Sequence, residues 1–106
     1  MAESIEESDK EIVVTDSAGK EGIRVTRGAR EMPTAFIAEY GSGKPIIGIL
    51  GEFDALPGIS QKAQPTKSSL KEGAAGHGCG HNLFGVGSLA AAISIKDAMD
   101  RGEITG

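Results

Sequence analysis

The chain is poor in the residues that usually anchor a core or cross-link a scaffold. It has no tryptophan, one tyrosine and three phenylalanines in 106 residues, so its apolar packing must come from Ile, Val, Leu and Ala. A single cysteine, Cys79, excludes an intramolecular disulfide and gives no support to an oxidising compartment. Histidine is scarce too, with His77 and His81 alone. No apolar run approaches the ~20 residues of a membrane span. The acidic stretch Met1 to Glu11 has no apolar segment of the signal-peptide kind. Eleven Lys and Arg stand against fifteen Asp and Glu, for a net charge of −4, and no basic stripe interrupts them. Such a balance argues against a polyanion partner. These absences lead to the expectation of a cytoplasmic protein with neither a nucleic-acid nor a membrane partner.

What is present has the composition of one small globular domain, 39% hydrophobic and 25% charged. Met1 to Glu11 reads as a solvated acidic tail. Ile12 to Val14 and Ile23 to Thr26 read as short strands, separated by a turn at Asp16-Ser17-Ala18-Gly19 and ended by Gly28. Thr34 to Tyr40 and Pro45 to Leu50 read as a hairpin around Gly41-Ser42-Gly43, its second strand the more buried. Pro57 to Gly76 has no hydrophobic period and is expected to be a loop. From Leu83 to Met99, apolar residues at Leu83, Val86, Leu89, Ala90, Ile93 and Ala98 follow the helical period, with Gly102 as a stop. Gly85 and Gly87 weaken the first turns, which a helix tolerates where it must approach another backbone or a ligand. Strands, a long loop and a helix make the expected class α/β.

The scarce reactive residues are concentrated. Cys79, His77 and His81 fall within five positions of the stretch Gly76 to Gly85, just before the helix. A thiolate and an imidazole two residues apart can face one ion from an extended loop, and together they suit zinc. The plain alternative is a small buried cysteine with two loop histidines of no chemical purpose. The second concentration is Glu52 and Asp54, at the C-terminal end of the most apolar run, where α/β sheets hold ligands and catalytic groups. Those carboxylates suit metal binding, orientation of a histidine, or acid–base work, against the plain alternative of a solvated strand end. Two other matches fail. Gly41-Ser42-Gly43-Lys44 lacks the phosphate loop's first glycine, having Ala38 there, and Pro45 replaces its Ser or Thr. Gly76-x-Gly78 has His81 in the third glycine position of a dinucleotide fingerprint. A Cys79–His81 nucleophilic dyad is disfavoured by its two-residue spacing.

Taken together, Gly51-Glu52-Phe53-Asp54-Ala55-Leu56-Pro57-Gly58 and Gly76-His77-Gly78-Cys79-Gly80-His81-Asn82-Leu83 resemble the aminoacylase and carboxypeptidase-G type of dinuclear metallopeptidases. Met32-Pro33-Thr34-Ala35-Phe36 and Gly41 to Pro45 are similar to its aminobenzoyl-glutamate amidohydrolase subgroup. The resemblance runs from Gly22 to Gly102 and fades before it. It implies the N-terminal part of a three-layer αβα catalytic domain at residues 22–106, incomplete by itself, after an acidic, poorly ordered segment at 1–21. It further implies hydrolysis of amide bonds in N-acyl amino acids or dipeptide-like substrates, with divalent Zn or Mn. Cys79 and His81 match the family's Cys-x-His metal ligands, with His77 and Asn82 placed beside them. Asp54 matches an aspartate that orients a histidine, and Glu52 stands where other branches have a histidine. The family's remaining ligands, its general-base glutamate and its lid lie further along the chain than this sequence reaches. The expectations therefore include a homo-oligomer or a complementing chain. The alternative is a catalytically inactive module that binds a metal weakly or associates with another chain.

Overall fold

β-Branched residues at Ile12 to Val14 and at Ile23, Val25 and Thr26 favour extended backbone, and strands form at both places. A computed structural model describes residues 4–7, 11–15 and 21–106, with side-chain environments from residue 22 onward. The turn expected at Asp16 to Gly19 lies outside the described residues. Four strands make one antiparallel meander in chain order: β1 (Ser4–Glu7), β2 (Glu11–Thr15), β3 (Glu21–Arg27) and β4 (Phe36–Glu39). Glu7 pairs with Ile12 across β1 and β2, and Arg24 with Glu39 across β3 and β4. Strand β1 falls where the sequence suggests a solvated acidic tail. Its backbone is paired with β2 over Ser4 to Glu7. Gly28, in the left-handed region at φ 66°, begins the turn from β3 to β4, which Ala29 N–H closes on the Ala35 carbonyl at 3.1 Å.

The expected hairpin does not form. Phe36–Glu39 pairs with β3 instead, and Ile46 to Leu50 joins no ladder among the described residues. An apolar run is a strand only where a neighbour takes its N–H and C=O groups. Nor is this run the buried one: Ile46, Ile47 and Leu50 are exposed. The two runs belong to different compact units, Met1–Pro45 with Gly106, and Ile46–Thr105.

The second unit is built on one helix, α1 (His81–Asp100). Its start is set by Gly80, whose φ of 90° suits glycine, and whose carbonyl accepts from the N–H groups of Leu83 and Phe84. Its end is a Schellman motif: Gly102 N–H reaches the Met99 carbonyl and Glu103 N–H the Ala98 carbonyl, both at 3.0 Å, with Gly102 at φ 72°. The apolar period of α1 meets no core. Leu83, Val86, Leu89 and Ile93 are exposed, and no described residue is buried. Sheet and helix thus give the α/β class, with no buried layer among the described residues. No helix there is long and apolar enough to cross a membrane.

Candidate active site

The 20 residues after Leu56 are gathered into a closed loop, and the closure brings the two motifs together. Leu56 and Gly76 exchange both backbone hydrogen bonds, at 3.0 and 2.9 Å. Ser60 N–H adds a bond to the Ala74 carbonyl at 3.0 Å. A Cβ at Gly76 would lie 2.5 Å from the Ile59 carbonyl oxygen, so only glycine fits this closure. Inside the loop, Gln61 donates to the Thr66 carbonyl at 2.8 Å and accepts from Ser68 N–H at 2.9 Å. An aperiodic sequence is thus ordered by the amide side chains of Gln61 and Gln64 and by backbone bonds across the loop.

Closure sets Asp54, two residues before Leu56, beside His81, the first residue of α1. Asp54 Oδ1 lies 2.9 Å from His81 Nδ1. An ionised carboxylate only accepts, so Nδ1 carries the proton and donates it. His81 Nε2 faces Glu52 Oε1 at 3.5 Å. The histidine side chain is 18% exposed, against 64% for Glu52 and 61% for Asp54, so the ring is held while both carboxylates remain in solvent. The hydrogen bond from His81 holds the Asp54 carboxyl below its usual value, against a smaller upward push from desolvation.

The approach of the two segments follows one stripe of the helix. His81, Gly85 and Ser88 are spaced by four and three residues and share a face. They are only partly exposed, whereas Asn82, Leu83, Phe84, Val86 and Gly87 between them are exposed. A Cβ at Gly85 would lie 3.0 Å from Phe53 Cβ, and one at Gly51 would lie 2.7 Å from Ser88 Cβ. Ser88 Oγ donates to the Leu50 carbonyl at 3.1 Å. The close approach expected of Gly85 and Gly87 is met at Gly85 alone, since a Cβ at Gly87 would meet nothing within 4 Å. Ser88 carried no motif in the sequence. Its signal was the run of small residues at four and seven positions after His81.

Of the candidate residues, Glu52, Asp54 and His81 are brought together. Cys79, His77 and Asn82 are exposed, and Cys79 is a free thiol. Among the described residues no three His, Cys, Asp or Glu side chains converge as a metal group. Thiol, imidazole and carboxylate are the right kinds of donor for zinc, which takes three or four of them. The donors therefore fit a divalent ion in kind and fall short in arrangement and number.

Comparison with known proteins decides the ancestry. The chain is 52% identical to a subunit of p-aminobenzoyl-glutamate hydrolase from Escherichia coli (strain K12) over 83 residues, 76% of this chain and 17% of that protein. Over that stretch the chain is similar to that hydrolase. Xaa-Arg dipeptidase of Homo sapiens is 34% identical over 80 residues, 66% of this chain and 15% of that protein. The chain thus spans less than a fifth of the length of either of these two relatives. No family model and no solved structure matches it. The likeness to these hydrolases rests on the sequence, and the site rests on the few residues that meet around His81.

Proposed function

We propose that these residues serve metal-dependent hydrolysis of amide bonds in N-acyl amino acids or dipeptide-like substrates, as part of a three-layer αβα catalytic domain. One relative is named for p-aminobenzoyl-glutamate hydrolysis and the other as a dipeptidase, which supports an amide of an amino acid as substrate. The observation that carries the reading is the 2.9 Å contact of Asp54 with His81 Nδ1. A histidine whose Nδ1–H is held by a carboxylate has its tautomer fixed and leaves the Nε2 lone pair to bind a metal. In this reading Cys79 and His81 hold a divalent Zn or Mn ion, and Asp54 orients His81. Glu52 faces the same nitrogen as a further donor or proton acceptor, and His77 and Asn82 flank the ligand loop. A bound ion supplies polarisation of the amide carbonyl and a lowered pKa for a water molecule. The further donors that the resemblance implies are not among these residues, since the chain has no third histidine.

A second reading is a non-catalytic module that binds a metal weakly or associates with another chain. It draws on the exposed apolar side chains of α1 and on the absence of a three-donor group among the described residues. A chimera separates the two. The matched stretch of the Escherichia coli hydrolase is replaced by that of this chain, and release of p-aminobenzoate is assayed in its native assembly. The enzyme reading expects turnover that falls by roughly 100-fold or more with Cys79→Ala or His81→Ala. A folded chimera without turnover favours the module.

A further inference from the structure

We propose that Ser88 is a positioning residue, which, with the glycine contacts at Gly51 and Gly85, lays the segment Leu50–Asp54 along the His81–Gly85–Ser88 stripe of α1 and so delivers Asp54 to His81 Nδ1. The inference rests on the reading of His81 and Asp54 given under Proposed function, and it adds the element that sets their distance. The contacts run in order. Leu50 and Gly51 meet Ser88, Glu52 and Phe53 meet Gly85, and Asp54 meets His81.

Lengths agree with that order. Seven helical residues from His81 to Ser88 rise ~10.5 Å. Four extended steps from Leu50 to Asp54 cover roughly 13 Å. The segment can therefore follow the stripe from end to end with little slack. At the His81 end, the loop closure between Leu56 and Gly76 holds the chain. At the other end, the side-chain contact holding it is the hydroxyl of Ser88 on the Leu50 carbonyl, 38 residues away in sequence. Between them the glycines permit the approach, because a methyl group at Gly51 would strike the Ser88 side chain and one at Gly85 would press on Phe53. Without the Ser88 anchor the segment can slide or lift, and a displacement of about 1 Å is enough to break a hydrogen bond of this length.

The test reads the His81 ring directly, so it needs neither turnover nor a bound metal. Ring nitrogen chemical shifts in the metal-free 106-residue chain, near pH 8, report which nitrogen carries the proton. The intact chain is expected to show the Nδ1–H form, and Asp54→Asn gives the reference for its weakening. Ser88→Ala and Gly51→Ala are each expected to move the His81 shifts toward that reference. Both are expected to weaken Zn²⁺ binding by about tenfold, as loss of an orienting partner does. Ser94→Ala is the control, since Ser94 Oγ donates back to the Ala90 carbonyl within the same helix at 2.9 Å. It is expected to leave His81 unchanged. Unaltered His81 shifts in both Ser88→Ala and Gly51→Ala, with helical circular dichroism retained, overturn the positioning role. If instead the shifts move as expected and the intact chain binds no Zn²⁺, the positioning role stands and the metal reading falls.

Discussion

Asp54 and His81 lie 27 residues apart in sequence, and their hydrogen bond gives the first prediction. The bond holds the Asp54 carboxyl below its usual value. For a depressed carboxyl the stabilisation is present above the unfolded pKa and lost as pH falls through the folded one. The contact should thus persist at about pH 4, where a free aspartate is half protonated, and dissolve on further acidification. Carboxyl ¹³C titration of Asp54 should show its midpoint rising in His81→Ala. An unchanged midpoint would mean that the ring does not hold the carboxylate in solution. At this scale the sequence was informative about which groups matter and silent about their geometry. Glu52, Asp54, Cys79 and His81 stood out because they are chemically rare or paired at a segment end. Ser88 did not, because a serine inside an alanine-rich helix looks like any other small residue until the partner of its hydroxyl is known.

Among the elements, α1 was the most legible and the segment before it the least. Helical periodicity and Gly102 located the helix to within two residues of its observed span, since both signals are local. The hairpin expected from Thr34 to Leu50 failed because ladder partners are a long-range choice. The N-terminal half of that stretch pairs with β3, and the other half pairs with nothing described. Two glycines carry predictions at this scale. Gly102→Ala forces a methyl-bearing residue into the left-handed region at φ 72° and should cost about 1 kcal/mol of the last turn. Faster amide exchange at Gly102's successor, Glu103, by roughly fivefold would report it. Gly76→Ala places a Cβ against the Ile59 carbonyl and should open the loop closure. Loss of protection at the Leu56 amide would follow, together with loss of the Asp54–His81 contact. A protected Leu56 amide in that variant would show that the loop closes by other means.

For the molecule as a whole, the arrangement of apolar side chains matters more than their number. Leu83, Val86, Leu89 and Ile93 follow the helical period expected of a core face, yet they are exposed, as are Ile46, Ile47 and Leu50. A large-to-small change in a packed core costs about 2–5 kcal/mol. Leu89→Ala should cost less than about 0.5 kcal/mol here, measured by thermal circular dichroism, because its side chain is 53% exposed. A loss in the core range would show that α1 is covered in solution. The sequence period could not foretell this, since it records which face is apolar and not what lies against it.

The central claim is that the ligand loop and the Glu52–Asp54 segment together form the working half of a metal site around His81. Native mass spectrometry of the 106-residue chain, titrated with Zn²⁺ and repeated on His81→Ala and Cys79→Ala, tests it most directly. The account predicts about one ion per chain, lost in both variants, and weaker binding by roughly 10–100-fold in Asp54→Asn. A chain that keeps the helical signature of α1 and binds no ion would contradict it.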